Sequence, residues 1–281
     1  MSTAPHSSGK KPSDPDDSFH QTKLCRYTTD SVYYRDSNLV DELIGKASFI
    51  DVFVRQAFDR TLTDSERRIL DAVLVILMEH GMTPSAIAAR MVYSSSPENL
   101  HAGVAAGLLA VGSRFVGTME DAAALLDRIV EAGSDRAMIA ELARDFRARR
   151  ASVPGFGHHL HRPDDPRAVA LLALASQEGV AGAHVAALRS FAEEIDAAAG
   201  RHITINATGA IAAVLGDMGF PAALMRGFAV LSRAAGLIAH IAEEQRTPAG
   251  RFIWDLIDRE MGVSPAPGQE THVTSNKTET L

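Results

Sequence analysis

Apolar residues recur at three- and four-residue spacing through most of the chain between Lys23 and Met261. In the run ERRILDAVLVILMEH, the residues Ile69, Ala72, Val73, Ile76 and Leu77 fall on one face of a helix, because 3.6 residues per turn superpose such positions. Thr63 and Glu66 form a capping box ahead of it, each side chain able to satisfy an orphan amide. Gly81, after His80, supplies a left-handed stop. Thr83-Pro84 opens the next helix with a cap followed by the residue that suits the first helical position. Asp165-Pro166 opens another in the same way, and Gly179 ends it. Further helices are predicted at 120–132, 136–149, 181–199, 207–218 and 221–245. Strand signals are confined to Val32-Tyr33-Tyr34 and His202-Ile203-Thr204-Ile205. The pattern predicts an all-α, multi-helical fold with one small hairpin, its helices drawn close by abundant alanine. Residues 1–22 and 262–281 hold almost nothing to bury and read as disordered tails.

Composition narrows the function classes. With 281 residues, 46% of them hydrophobic and 22% charged, the chain can bury a core that needs no staples. A single cysteine, Cys25, excludes an internal disulfide and fits a reducing, cytoplasmic setting. The net charge of −7 argues against a nucleic-acid-binding face, and 6% aromatics leaves few platforms for stacked bases. The longest uncharged apolar stretch, from Asn99 to Ser113, is too short to span a membrane. No basic start followed by an apolar block marks an export signal.

Three segments combine glycine, histidine and arginine in ways that packing does not require. They are Glu79-His80-Gly81, the run Pro154-Gly155-Phe156-Gly157-His158-His159-Leu160-His161-Arg162 with Asp165-Pro166-Arg167 behind it, and Asn206-Ala207-Thr208-Gly209. In the second, Gly155 and Gly157 free the backbone to approach a ligand. His158 can move a proton near neutral pH. Arg162 and Arg167 offer guanidinium groups matched to carboxylate and phosphate. A site for an anionic substrate competes here with a solvated loop in which Asp165 is an ordinary cap. His158, His159 and His161 crowd together, yet no Cys and no second His-x-x-x-His spacing supports a metal, so none is expected. His80 alone would also suit a helix end, where it satisfies a terminal carbonyl. Arg233, flanked by small and apolar residues in LSRAAG, either meets an anionic ligand or snorkels to the surface.

Taken in order, EHG at 79–81, GLLAVGSRFVG at 107–117, PGFGHHLHRPDDPR at 154–167, NATG at 206–209, LSRAAGLIAH at 231–240 and GRFIWD at 250–255 resemble the citrate synthase superfamily. The likeness is closer to its citryl-CoA lyase branch, including the lyase portion of ATP-citrate lyase, and runs from about Leu39 through Asp255. It implies a dimer, or a higher homo-oligomer, of a nearly all-α fold with a large and a small domain. The large domain would comprise 23–118 and 209–261, and the small one 119–208. It also implies a site for an acyl-CoA thioester and a di- or tricarboxylate, with coenzyme A as part of the substrate and no tightly bound cofactor. By position, His80 would contact substrate oxygens and His158 would exchange a proton with the hydroxyl or carbonyl oxygen. Arg167 and Arg233 would bind carboxylates, Arg251 would reach a neighbouring subunit's site, and Arg162 would lie near CoA. Gly155 and Gly157 would let the loop approach it.

Two departures stand out. Ser113-Arg114-Phe115-Val116-Gly117 lacks the histidine that condensing synthases carry there, which favours lyase over synthase. Thr208 stands where the family has its catalytic aspartate, and a threonine cannot serve as a carboxylate base. The implied activity is making or breaking a C–C bond between an acyl-CoA and an oxaloacetate-like 2-oxo acid. A related acyl-CoA enzyme of different substrate, or a catalytically weak binder of CoA or tricarboxylates, remains open beside it.

Overall fold

The computed structural model describes residues 22–112 and 118–261; the expected tails and the Ser113–Gly117 departure lie outside the described residues, save for residue 22. The chain divides between Arg68 and Ile69 into two units.

In the first unit, β1 (Cys25–Tyr27), β2 (Val32–Tyr34) and β3 (Ser37–Asn38) form an antiparallel sheet in that order, with Cys25 opposite Tyr34 and Tyr33 opposite Asn38. The expected hairpin is thus one strand larger. Asn38 then caps a π-helical turn, Leu39–Leu43, by accepting from the amides of Val40 and Asp41. Helix α1 (Phe49–Phe58) starts at a Ser48/Asp51 capping box, and Asp51 also receives Arg67 Nε at 2.9 Å. Helix α2 (Asp64–Met78) begins as its sequence predicts. Thr63 N donates to Glu66 Oε2 at 2.8 Å and Glu66 N to Thr63 Oγ1 at 3.2 Å.

The second unit continues α2 and adds α3 (Pro84–Ser95), α4 (Leu100–Leu109), α5 (Thr118–Glu131), α6 (Arg136–Ala148), α7 (Pro166–Gln177), α8 (Ala183–Ala199), α9 (Ala207–Asp217), α10 (Ala222–Glu244) and α11 (Gly250–Met261). Helix α9 is its centre. Residues 209–215 are all buried, and α5, α7 and α8 pack round them. Helices α5, α7 and α8, within the stretch expected as a small domain, therefore share their core with α9, while α6 packs on α8. Helix α10 packs on α3, α4 and α5. Small residues allow this closeness: a Cβ on Gly107 would lie 2.8 Å from Ser85 O and 2.6 Å from Leu237 Cδ1.

Two sequence expectations change. The HITI run is no strand; it makes one antiparallel bridge, Ile205 to Phe156, because only the short 155–157 loop runs beside it. Helix α10, at 23 residues and a mean hydropathy of 1.4 over 18 of them, is long and apolar enough to cross a membrane. A search for uncharged stretches misses it because Arg226 and Arg233 interrupt the run. Its inward face carries Ser232, His240 and Glu244 among Phe228, Leu237 and Ile241, and the Ser232 hydroxyl donates to Leu74 O. Ser232, Glu244 and the Nδ1 of His240 are answered by protein, as in a core helix.

Candidate active site

The second unit contains a cavity of about 840 Å³, lined by first-turn residues of α3, α5, α7 and α9, by the 152–160 loop, and by His80 and Arg233. Helix N-termini carry unpaired amides and positive dipole ends, so a space walled by four of them favours an anion.

Two contacts set the walls. Gly155 (φ +84°) and Gly209 meet backbone to backbone; a Cβ on Gly155 would stand 2.8 Å from Gly209 Cα, and one on Gly209 would strike Gly155 O. Only glycine at both positions lets the loop lie against α9. Gly157 (φ +79°) lines the cavity with open space around it. The second contact is Asp165, fully buried, which accepts the amides of Arg167 and Ala207, both at 3.0 Å, and so joins the starts of α7 and α9. It also receives Arg167 Nε at 3.0 Å and Nη2 at 2.8 Å. Burial pushes the Asp165 carboxyl up, but the Arg167 side-chain and backbone bonds outweigh this and hold it below its ordinary value.

Arg167 is thereby aimed at both histidines. Its Nη1 lies 3.4 Å from His80 Nδ1 and its Nη2 3.3 Å from His158 Nε2. His158 Nδ1 accepts from the amides of Leu160 (3.1 Å) and His161 (2.9 Å), so the proton of the neutral ring sits on Nε2. An N–H of His158 and an N–H of Arg167 therefore face one point with no acceptor between them. A carboxylate or carbonyl oxygen would satisfy both. Burial lowers the affinity of both rings for a proton, aided by Arg167 at His80 and by His161 at His158. Both rings are biased toward the neutral form.

Arg233 supplies the second cation. Its side chain is 13% exposed; Nη1 is buried without a hydrogen bond and stands 3.9 Å from Glu79 Oε2. Burial lowers its proton affinity, opposed by Glu79. Glu79 Oε1 accepts the amides of His80 (2.9 Å) and Gly81, fixing the backbone of the site histidine. Behind Glu79, His240 Nε2 approaches Oε2 to 2.9 Å without hydrogen-bond alignment, while His240 Nδ1 accepts from Arg90 Nε at 3.0 Å. Arg90 continues to Glu244 Oε2 at 2.9 Å, and Glu244 Oε1 accepts the amides of Ala249 and Gly250 at the start of α11.

Thr208 lies on the cavity wall, its hydroxyl donating to Asn206 Oδ1 at 2.7 Å and standing 3.4 Å from Thr118 Oγ1. Ring nitrogens of His80, His158 and His161 come within 4.8 Å of one another. The donor set suits an anion better than a dication, because Nε2 of His158 is protonated and the Arg167 guanidinium adjoins two of the rings. Two expected residues stay outside the wall. Arg162 is exposed, and Arg251, also exposed, pairs with Asp255 at 2.9 Å and lies over Trp254. Within one chain they do not reach this cavity. Sequence reasoning treated Asp165 as a cap only and missed Glu79 as a clamp. It gave no role to His240, though the LSRAAGLIAH stretch ends on it, and had no signal for Asp121, which also lines the cavity.

Residues 19–254 match the family described as citrate synthase, C-terminal domain. The chain belongs to the citrate synthase family. This citrate synthase family member is 31% identical over 185 residues to putative citrate synthase 2 of Mycobacterium tuberculosis, covering 63% of this chain and 47% of that protein. It is 26% identical over 220 residues to probable ATP-citrate synthase subunit 1 of Neurospora crassa, covering 71% and 32%. The chain thus spans less than half the length of these curated relatives. Its fold is similar to that of citryl-CoA lyase from Hydrogenobacter thermophilus, with a TM-score of 0.79 at 32% identity, over 89% of this chain and 96% of that one. It also resembles ATP citrate lyase from Methanosaeta concilii solved with (3S)-citryl-CoA, at a TM-score of 0.70 and 20% identity, over 95% and 47%, a likeness of fold.

Proposed function

We propose that the protein is a citryl-CoA lyase type enzyme, cleaving a citryl-like acyl-CoA into an acyl-CoA and an oxaloacetate-like 2-oxo acid. The observation that carries this reading is the convergence of Arg167, Arg233 and two neutral histidines on one cavity walled by helix N-termini. Each arginine takes one carboxylate, a bidentate match that survives at any relevant pH. His158 donates its Nε2–H to the hydroxyl oxygen that becomes the carbonyl. His80, which keeps one lone pair, takes the hydroxyl proton. The C–C bond then breaks and its electron pair becomes the thioester enolate, which the surrounding helix amides stabilise. Coenzyme A enters as part of the substrate, with Gly157 lining the approach and Arg162, exposed outside the cavity, left to meet only the part of it that projects beyond the wall.

A homodimer fits this reading. Helix α11 leaves Phe252, Trp254, Ile257 and Met261 exposed beside Arg251, and a second copy covering that face would let Arg251 reach its partner's site. Incubation with citryl-CoA and a coupled dehydrogenase that reduces oxaloacetate tests the activity; no oxaloacetate above the uncatalysed rate at high protein concentration defeats it. Thr208 favours one second reading, a catalytically weak binder. That reading predicts melting-temperature rises with citrate or CoA and no turnover.

A further inference from the structure

The proposed chemistry leaves one role unfilled. The enolate needs a proton on carbon, and Thr208 has no carboxyl to give it. Among the described residues that line the cavity, one carries a carboxylate: Asp121, in the first turns of α5. It sits one helical turn beyond Thr118, and residues three apart share a helix face. Thr118 Oγ1 is 3.4 Å from Thr208 Oγ1, so this face of α5 borders the position from which the family's aspartate is missing. The register is fixed on the next residue as well. Ala122 Cβ would lie 3.3 Å from a Cβ on Gly155, which places the start of α5 against the glycine pair that shapes the wall.

Asp121 is also chemically idle in the fold. Its neighbours are engaged, Glu120 with Arg226 and Asp127 with His184. Among the described residues Asp121 makes no hydrogen bond and no ion pair. In a cavity otherwise furnished for anions, a free carboxylate repels the ligand. Its side chain is exposed and sits in the first turn of α5, where a carboxylate also suits the helix dipole; its place on the cavity wall beside Thr118 is what points to proton transfer.

We propose that Asp121 is the catalytic carboxyl group of this protein, supplied from α5 in place of the group that α9 lacks. The inference rests on the lyase reading above. In cleavage, the hydroxyl proton passes to His80 and from it through water to the Asp121 carboxylate, the C–C electron pair becomes the enolate of the acyl thioester, and Asp121 hands that proton to the enolate carbon, returning to the carboxylate. In reverse, that carboxylate takes a proton from the acetyl-CoA methyl group, and the C–H electron pair forms the enolate.

The test compares the parent with Asp121→Asn and Asp121→Asn/Thr208→Asp. The readouts are citryl-CoA cleavage, deuterium uptake into the acetyl-CoA methyl in D₂O, and the melting-temperature shift with citrate. Asp121→Asn should keep the parent's melting temperature and a citrate shift at least as large as the parent's, since a repelling charge is gone, while cleavage and methyl exchange fall by about 10²–10⁴-fold, the span of general acid–base catalysis. Adding Thr208→Asp, which restores a carboxyl across the same wall, should recover activity. If the parent cleaves citryl-CoA and Asp121→Asn cleaves and exchanges at the parent's rate, the assignment of Asp121 is overturned and the lyase reading stands. A parent that neither cleaves nor exchanges overturns both. Failure of the double variant to recover, with its fold and citrate shift intact, overturns the claim that the two positions serve one acyl carbon.

Discussion

Arg167 and Arg233 line one cavity, yet they reach it in different states. Arg167 is held by three hydrogen bonds to a fully buried Asp165, from its amide, Nε and Nη2, and touches both site histidines before any ligand arrives. Arg233 is mostly buried, with Nη1 unbonded and its nearest carboxylate 3.9 Å away. The first is a structural ion pair that, on the proposed function, also binds. The second is a desolvated charge for which, on the proposed function, the ligand would be the partner. The contrast teaches that equal motif status hides unequal energetics: one arginine supports the fold, the other burdens it until substrate binds.

Removing each cation should therefore give different phenotypes. The largest effect is expected for Arg167→Ala, which strands the Asp165 carboxylate in the interior. Loss of one partner of a buried pair costs about 3–5 kcal/mol, and a denaturant melt that shows under 1 kcal/mol would break the comparison. Gly209→Ala comes next. Its methyl meets Gly155 O, and overpacking of this kind costs about 1–3 kcal/mol; an unchanged melt would mean the loop moves aside freely. For Arg233→Met, of similar length but apolar, chemical denaturation should give a stability within about 1 kcal/mol of the parent or above it, while the citrate-induced shift disappears. A fall as deep as that of Arg167→Ala would erase the distinction between the two arginines.

The smallest effect is on pH dependence. His80 and His158 have lowered proton affinity in the folded chain, so below the ordinary histidine value of about 6.5 the unfolded chain binds more protons. Their contribution is complete above that value, and stability is lost as pH falls below it toward the folded values. Melting temperatures from pH 7 downward should fall less steeply for His80→Asn than for the parent. Equal slopes would show that His80 is not held neutral by the site.

The sequence was most legible where the signal is local. Thr63/Glu66, Thr83-Pro84, Asp165-Pro166 and Gly179 each act within a few residues of themselves, and the helices they bound stand within a residue or two of their expected places. Helix α4 escaped because it is apolar all round, with Gly103 and Gly107 serving close packing rather than a stripe. The HITI run has strand spacing but no neighbour to pair with beyond Phe156. At the site, the residues inside glycine-rich motifs were visible, and His80, His158, Arg167, Thr208 and Arg233 do meet on one cavity. What the sequence cannot display is partnership across distance. Arg90 and His240 lie 150 residues apart and Thr118 and Thr208 lie 90 apart, and though motifs contain some of these residues, none joins the members of either pair.

The contact of Gly155 with Gly209 carries a consequence for how such a protein can change over generations. The loop and α9 are held in register by main chain against main chain, a joint that depends on no side chain being present. Substitutions along the rest of the wall can therefore sample new substrates while the jaw keeps its gape. The joint itself admits almost no single-step variation, since a methyl on either partner collides with the other. Specificity is free to drift here, and the frame on which it drifts is not.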